Sequence, residues 1–321
     1  MKESKWQIVK ELAILGTIVY FLKMSVLGAF LVPTGSMEDT ILPGDFLFGN
    51  QIIYGMRTPD WFGIPWTDTG FDLPSYRFPA LKKIEQGDIV IFKFPRDKET
   101  LYVKRCIAGP GDSLEIKARR VFVNGVEFSL PPEGKFLDSM LPEDYNQQDI
   151  FLINNGNKDF LGPLRVPKEG DVIELNKDSN WKVTLQLIIL DGHEVTLKTG
   201  SYEYKLTITD PREVYRRKES RDVFKDFYPN GTLINPWARI IKNEYYNYVY
   251  IDGKSINKFK SYTVEQDYFW MMGDNRDSSL DSRFWGFVPR KYIKGRALLT
   301  FLSIDFNSWM PRISRFAKIL R

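Results

Sequence analysis

A Gly-Asp pair followed by a short apolar run occurs four times in this 321-residue chain, and no other feature constrains the fold as much. The four stretches are PGDFLF at 43–48, QGDIVIF at 86–92, PGDSLEI at 110–116 and EGDVIEL at 169–175. Glycine accepts positive φ, and the aspartate carboxylate can bond the backbone that follows it, so each pair predicts a turn that opens a strand. Asn124-Gly125 and Asp252-Gly253 predict two hairpins. Together these turns predict a mostly β fold.

The N-terminal segment has a different pattern. Residues Leu12–Leu22 form an uncharged apolar run between Lys10-Glu11 and Lys23. This run is shorter than the ~20 residues of a spanning helix, but residues 5–23 reach that length if the lysines extend to the interfaces. A cleavable signal peptide would need a small-x-small site soon afterwards, and none is convincing. We therefore expect one membrane anchor over residues 5–23, with a cytoplasmic N-terminus because most nearby lysines precede it.

The remainder of the chain divides into three parts. Residues 24–128 and 262–321 carry the regular β pattern and are predicted to form the two parts of one β domain. Residues 129–261 interrupt that pattern with an irregular, charged stretch, which predicts a β-rich and partly independent insertion. An aromatic stretch at 60–78 contains too many Pro and Gly residues for a helix, and either a core-covering loop or a lip dipping into lipid fits its composition.

Composition excludes several kinds of site. The net charge is +4, with no basic stripe among aromatics, so we expect no nucleic-acid partner. Cys106 has no cysteine partner, and the single histidine, His193, follows Asp191-Gly192, which predicts an exposed hairpin turn. A histidine-based triad or metal site is therefore disfavoured. We expect no metal and no organic cofactor.

Two separate stretches carry candidate catalytic groups. Ser36 lies in the turn PTGSM, where a serine is ordinarily only a turn residue. Lys104 lies in the strand-like run LYVKR, where alternation places Tyr102 and Lys104 on one face and Val103 on the other. Burial would lower the pKa of Lys104 from ~10.4 by up to several units. Such a lysine can accept a serine proton near neutral pH.

A third stretch, GDNRDSSLDSRFWGFVP at 273–289, concentrates charged and hydroxyl side chains. A solvated loop is the default interpretation of such a composition. Because the segment continues into an aromatic run that must be largely buried, we expect its charges to pair with one another near a core boundary.

Together the three stretches resemble the membrane-bound type I signal peptidases of bacteria, the Ser-Lys leader peptidases. The resemblance covers residues 5–128 and 262–303 and is weak over the insertion. It implies a β-rich catalytic fold behind a membrane helix, at the outer side of the bacterial inner membrane. It also implies a serine endopeptidase that removes signal peptides from translocated pre-proteins after a small-x-small site.

The resemblance also assigns roles to individual residues. Ser36 would be the nucleophile and Lys104 the general base, with the Ser36 N–H and the Thr34 hydroxyl stabilising the oxyanion. Ser279 would orient Lys104, while Asp274 with Arg276 and Asp281 with Arg283 would support the loop. An extended substrate would add beside the strands that carry the serine and the lysine. Shallow pockets for it would be lined by Phe30, Val32, Pro33, Met37, Ile41, Tyr102 and Val103.

One departure from the family and two alternative functions stay open. Relatives often carry Pro two residues after the Met, whereas this chain reads SMEDT; we expect the turn geometry and the activity to survive, while the effect on substrate preference stays open. A Ser-Lys peptidase with another dedicated substrate would carry the same residues. A membrane-anchored binding or assembly factor with a decayed site is the non-enzymatic alternative, although Ser36, Lys104 and Ser279 are all present.

Overall fold

The computed structural model describes residues 5–59, 61–63, 70–151, 156–208 and 242–321. Trp66 of the aromatic stretch and the charged run at 210–227 lie outside these residues. The helices are α1 (Lys5–Ser25), α2 (Trp181–Asp191) and α3 (Ser282–Trp285), with 3₁₀ turns at Asn243–Tyr248, Ile256–Lys258, Arg290–Tyr292 and Ile313–Arg315.

The strands of the described residues are, in chain order, β1 (Leu27–Leu31), β2 (Asp45–Asn50), β3 (Trp61–Gly63), β4 (Gly70–Asp72), β5 (Ile89–Phe94), β6 (Asp97–Ala108), β7 (Ser113–Lys117), β8 (Arg120–Val123), β9 (Val126–Phe128), β10 (Gly156–Asn157), β11 (Phe160–Arg165), β12 (Val172–Glu174), β13 (Val195–Thr199), β14 (Tyr202–Leu206), β15 (Val249–Ile251), β16 (Lys254–Ser255), β17 (Ser261–Thr263), β18 (Tyr268–Met272), β19 (Val288–Pro289), β20 (Ile293–Asp305), β21 (Met310–Pro311) and β22 (Lys318–Ile319). The fold is mostly β, as predicted.

The largest sheet is antiparallel, in the order β1-β2-β20-β5-β6-β18-β19, with β21 and β22 also paired to β20. Neighbouring strands lie about 4.8 Å apart, so a flat sheet would hold β1 and β6 roughly 19 Å apart. The sheet is instead strongly curved. A Cβ atom on Gly49 of β2 would lie 2.5 Å from Cδ1 of Ile91 on β5, although β20 separates these two strands.

Irregular pairing allows this curvature. The register shifts between β2 and β20, between β20 and β5, between β5 and β6, and between β18 and β6. Each shift is a bulge or similar irregularity, and bulges bend the strand and increase its twist. The curved face encloses a small core beneath the β1–β2 turn, formed by Val32, Met37, Ile41, Leu47, Ile89, Ile91, Ala297 and Leu320.

The Gly-Asp turns are confirmed, with one correction. Their glycines all have positive φ: Gly44 (91°), Gly87 (93°), Gly111 (88°) and Gly170 (86°). Each aspartate carboxylate accepts from the N–H three residues before it: Asp45 from Leu42, Asp88 from Glu85, Asp112 from Gly109, and Asp171 from Lys168. The prediction that each carboxylate bonds the following backbone was wrong. The glycine in the left-handed region reverses the chain direction, so the N–H three residues earlier lies next to the carboxylate, while the residues after the aspartate continue as a strand.

Both predicted hairpins with an Asn-Gly or Asp-Gly turn are present. Asn124 (φ 52°) and Gly125 (φ 80°) join β8 to β9, and Asp252 (φ 47°) and Gly253 (φ 74°) join β15 to β16. Positive φ at both central residues matches the twist of the flanking strands, which is why these dipeptides predict hairpins reliably.

The third predicted turn, Asp191-Gly192, is not a hairpin. The apolar run before it forms α2, whose interior side chains are buried, and Gly192 (φ 122°) ends this helix. A continuous apolar run does not distinguish a buried strand from a buried helix, which is the physical reason for the error. His193 therefore follows a helix, and its ring contacts Asp252 and Glu265, each at 2.7 Å.

The region predicted as an insertion contributes to two cores. Strands β10 and β11 extend the β7-β8-β9 sheet, in the order β10-β11-β7-β8-β9. Farther along, α2 and the β14-β13-β15-β16 sheet enclose a separate apolar cluster that includes Trp181, Leu185, Val195 and Val249. The domain division itself stays a prediction.

Helix α1 has the predicted position, and β1 follows it directly. Within the described residues, however, no helix is long and apolar enough to cross a membrane. The predicted spanning anchor is therefore not found in α1, whose longest uncharged run is bounded by Lys10-Glu11 and Lys23.

The Gly-Asp turns allow a test of close packing at matched positions. A Cβ atom on Gly44 would lie 1.9 Å from the backbone oxygen of Ile304, whereas one on Gly87 would meet nothing within 4 Å. Both substitutions force alanine into the left-handed region, which costs about 1–2 kcal/mol. We expect Gly87→Ala to lower the free energy of unfolding by about that amount and Gly44→Ala by clearly more, measured by urea denaturation. Equal losses would contradict the close approach at Gly44.

Candidate active site

Ser36 lies in the turn between β1 and β2 and is 8% exposed. Two hydrogen bonds from Asn275 hold this turn: its backbone N–H donates to the Ser36 carbonyl (3.2 Å) and its Nδ2 to the Gly35 carbonyl (3.2 Å). The next residue, Met37, is 1% exposed and packs into the small core under the turn. The serine turn is therefore held by Asn275, which belongs to the stretch 273–289 (the late motif), and by the packing of Met37 in the small core.

Lys104 lies in β6, opposite Val90 of β5, and is 3% exposed. Its Nζ donates a hydrogen bond to Ser36 Oγ and lies 5.1 Å from the centre of the Tyr102 ring. The predicted placement of Tyr102 and Lys104 on one face is confirmed. The curved sheet thus brings together two residues that are 68 positions apart in the chain.

Burial lowers the pKa of Lys104 to about 8. Asp281 and Asp274 oppose this shift, since their negative charges favour the ammonium form, and Arg283 adds to it. Desolvation outweighs the two carboxylates because both of them are already paired with arginines. At mildly alkaline pH a substantial fraction of Lys104 is neutral and able to accept a proton.

The partner of Asp274 differs from the prediction. Arg105, next to Lys104 in the chain, donates to this carboxylate through Nε (2.8 Å) and Nη2 (2.7 Å), and Thr40 donates to it through Oγ1 (2.6 Å). Arg276 was the predicted partner, but its buried Nε and Nη2 have no hydrogen-bond partner among the described residues. Burial, followed by repulsion from Arg283, lowers the pKa of Arg276 to about 10.

Asp281 and Arg283 contact each other. Arg283 donates to Asp281 through Nε and Nη2, both at 2.9 Å, and both side chains are buried. Burial opposes ionisation of Asp281, but Arg283 keeps the pKa of this carboxyl below its usual value. The carboxylate also accepts from the Gly273 N–H at 3.1 Å and caps α3. The pair therefore fixes the loop that follows β18.

Ser279 lines the same cleft, but its predicted hydrogen bond to Lys104 is not found. Its Oγ is buried and lies near the Asp281 carboxylate, whose pKa it helps to lower. Gly273 brings it close: a Cβ atom there would lie 2.2 Å from Ser279 Oγ and 2.4 Å from the Ser36 carbonyl oxygen. Only glycine leaves room for Ser36 and Ser279 at this point.

A cleft of about 560 Å³ opens at Ser36 and Lys104. Of the predicted pocket and oxyanion residues, those lining it are Val32, Pro33, Thr34, Met37, Tyr102 and Val103. Phe30 and Ile41 do not line it. Ile41 is fully buried in the small core, and Phe30 lies across Gly28 and Gly49 on the β1–β2 pair. Apolar residues near a nucleophile serve the core as readily as the cleft, and their types alone do not separate the two uses.

The cleft wall also contains residues that the sequence did not point to. Asp138, Gln147, Asp149 and Lys158, all from the region predicted as an insertion, line the side near Asp277. The Lys158 ammonium contacts the Asp277 carboxylate and lies 3.3 Å from that of Asp138. The sequence analysis missed these residues because this region resembles the family only weakly. The one available signal was the charge of Lys158, which a buried position would require to be paired.

No metal site accompanies these groups. Within the residues that the structure describes, no group of three or more His, Cys, Asp and Glu side chains is placed to hold a metal ion.

Comparison with known proteins identifies the family. The family model "Signal peptidase, peptidase S26" matches residues 5–302. The chain belongs to this family. Signal peptidase I of Buchnera aphidicola subsp. Acyrthosiphon pisum (strain APS) is 26% identical over 305 residues, covering 94% of this chain and 77% of that protein. Signal peptidase I of Aquifex aeolicus (strain VF5) is 25% identical over 311 residues, covering 94% and 86%.

The chain in a solved structure of a signal peptidase I from Enterococcus faecalis V583 is 16% identical in sequence to the chain described here. The match covers 67% of this chain and 97% of the Enterococcus chain, with a TM-score of 0.24. Superposition at that score has no weight for the fold or the site. Family membership therefore rests on the sequence match.

Arg105 and Arg276, the observed and the predicted partner of Asp274, give a test of the pairing. Removing one partner of a buried ion pair costs about 3–5 kcal/mol, because the other charge stays buried. We expect Arg105→Met to lower the free energy of unfolding by about that much. Arg276→Met removes a buried cation without a paired carboxylate, and we expect a change within about 1 kcal/mol. Urea denaturation measures both; a larger loss for Arg276→Met would instead favour the predicted Asp274–Arg276 pair.

Proposed function

We propose that this chain is a type I signal peptidase: a membrane-associated serine endopeptidase that removes signal peptides from translocated pre-proteins after a small-x-small site. The observation that carries this proposal is the contact between Lys104 Nζ and Ser36 Oγ, two residues that line the same cleft. Membership of the S26 family supports the same chemistry. No cofactor takes part in it.

Acylation follows from the two side chains. Neutral Lys104 takes the Ser36 hydroxyl proton while Oγ attacks the scissile carbonyl carbon and forms a tetrahedral oxyanion. Collapse of this intermediate breaks the C–N bond, and the Lys104 ammonium gives its proton to the leaving amine. The mature protein leaves with a free N-terminus, and the signal peptide stays on Ser36 as an ester.

Deacylation uses the same base. With its proton gone, Lys104 takes a proton from a water molecule that attacks the ester carbonyl. The second tetrahedral intermediate collapses, Ser36 recovers its hydroxyl proton from Lys104, and the signal peptide leaves as a carboxylate. The lowered pKa of Lys104, about 8, suits a group that must gain and lose one proton in each half-reaction.

Other residues are proposed to bind the substrate and to stabilise the negative charge of the oxyanion. The Ser36 N–H and the Thr34 hydroxyl are proposed to stabilise the oxyanion, and one such donor typically accounts for about 100–1,000-fold in kcat. The substrate is proposed to lie extended beside β1 and β6, so that backbone hydrogen bonds bind it. Val32, Met37, Tyr102 and their neighbours in the cleft would then contact the small side chains before the cut.

We further propose that the protein works at a lipid surface, on the outer side of the bacterial inner membrane. Helix α1 exposes large apolar side chains such as Trp6 and Leu12, which are 77% and 62% exposed. A second group, the C-terminal apolar patch, consists of Trp309, Met310, Ile313, Phe316 and Ile319, each more than 40% exposed. Exposed apolar groups of this size indicate contact with lipid or with a partner.

The catalytic proposal is tested with a purified pre-protein in detergent or lipid, with the cut located by mass. We expect wild type to cleave after a small-x-small site, and Ser36→Ala and Lys104→Ala to abolish cleavage. Because the base must be neutral, the rate should rise with pH through about 8, the pKa of Lys104. Lys117→Met, which removes an exposed ion pair with Glu115 outside the cleft, serves as a folded control.

Other outcomes distinguish the alternatives. Activity that survives either substitution would remove the dyad. Cleavage of one dedicated protein but not of general pre-proteins would favour a specialised Ser-Lys peptidase. An inactive wild type that binds pre-protein stably would favour the binding factor.

The lipid proposal predicts a substrate-dependent loss. The double variant Trp309→Ser/Ile313→Ser removes two exposed apolar groups of the C-terminal patch. We expect it to slow cleavage of membrane-embedded pre-protein by about tenfold, because burying one such side chain in lipid is worth about 1.5–3 kcal/mol. Cleavage of a soluble peptide should not change. Val126→Ser, at an apolar position 71% exposed on β9, is the matched control, and an equal effect on both substrates would contradict the proposal.

A further inference from the structure

The segment Lys135–Asp138 belongs to the region predicted as an insertion, yet it is bonded along the late motif. The Lys135 N–H donates to the Asp274 carbonyl (3.0 Å), and the Arg276 N–H donates to the Lys135 carbonyl (2.9 Å). Farther along, the backbone N–H groups of Leu137 and Asp138 donate to the Asp277 carboxylate at 2.7 and 2.9 Å. The segment thus lies in register beside the loop whose Asn275 holds the Ser36 turn.

The side chain of Lys135 extends across this loop to the nucleophile turn itself. Its Nζ lies 2.9 Å from Glu38 Oε2 and 2.9 Å from Asp39 Oδ2. Asn275 Nδ2 also donates to Glu38 Oε2, at 3.2 Å. The two carboxylates that follow Ser36 and Met37 would repel each other, and the ammonium group between them reduces this repulsion by attracting both.

The backbone at Asp39 shows why this turn needs a restraint. Asp39 has φ 74°, in the left-handed region that residues other than Gly seldom adopt. A proline at this position, as in many relatives, could not adopt this conformation because its ring fixes φ near −65°. The SMEDT turn therefore has a backbone that a version with proline at this position cannot have, and the expectation that the turn geometry survives was wrong at Asp39. The contacts that retain it are Lys135 on the carboxylate and Lys318 Nζ on the Asp39 carbonyl, at 3.1 Å.

We propose that Lys135 is a positioning residue for the nucleophile: it holds the Glu38-Asp39 turn in the conformation that presents Ser36 to Lys104. The inserted region would then act on catalysis through this one ammonium group. This inference rests on the proposed peptidase function only for its kinetic consequence. The structural consequence, a restrained turn at residues 37–41, is independent of any activity.

The location of Lys135 determines which measurement is informative. Its side chain is 27% exposed and those of Glu38 and Asp39 are 40% and 52% exposed, so the ion pairs add little to global stability. A small displacement of a nucleophile, in contrast, lowers the rate of the chemical step strongly. A positioning role therefore predicts a fall in kcat with little change in KM or in the unfolding transition.

The test compares Lys135→Met, Lys135→Arg and the control Lys117→Met, which removes an exposed ion pair with Glu115 on β7. In Lys135→Met we expect kcat on pre-protein to fall by about tenfold, KM to stay within about twofold, and amide hydrogen exchange at residues 37–41 to accelerate. Lys135→Arg should restore both readouts because it keeps the charge. In the Glu38→Gln/Asp39→Asn background, Lys135→Met should cause no further loss.

The outcomes separate this inference from the proposed function. If wild type cleaves no pre-protein, the peptidase proposal fails, while the exchange comparison still decides the role of Lys135. If Lys135→Met matches Lys117→Met in exchange at residues 37–41 and in kcat, the positioning role is overturned. It is also overturned if Lys135→Arg fails to restore the turn, or if the loss persists unchanged without the two carboxylates.

Discussion

The burial of the Lys104 amine against Ser36 is the interaction on which the rest of the site depends. A lysine on a flat, solvated sheet would remain an ammonium ion near neutral pH and would have no serine within reach. The curvature of the main sheet solves both problems, since it closes β6 over the β1–β2 turn and excludes water from the amine. The bulges of β2, β5 and β20, and the absence of a side chain at Gly49, allow that curvature.

The charges around the lysine are arranged so that they do not cancel the effect of burial. Two carboxylates, Asp274 and Asp281, lie near enough to favour the ammonium form of Lys104. Each is already bound by an arginine through two hydrogen bonds, Asp274 by Arg105 and Asp281 by Arg283. A carboxylate paired in this way attracts a further cation less strongly, so desolvation dominates and the pKa of Lys104 stays low.

Residues 129–261, the region predicted as an insertion, contribute side chains to the site. Its first stretch, residues 135–138, is bonded to the late motif, and Lys158 contacts Asp277 in the cleft wall. Its later part, around α2, has its own apolar cluster. Residues of this region line the cleft and contact the nucleophile turn, so the two halves of the β pattern do not form the site alone.

The sequence by itself determined what depends on neighbouring residues. The Gly-Asp turns, the two hairpins with Asn-Gly and Asp-Gly turns, and the shared face of Tyr102 and Lys104 follow from local backbone geometry. The motifs indicated Ser36 and Lys104, and the structure brings these residues into contact. Only the tertiary structure decided the partner of Asp274, the burial of Ile41 beneath the turn, and the contact of Lys135 with Glu38 and Asp39. Those contacts join segments far apart in the chain, and they depend on how a bulged sheet curves, which no local pattern encodes.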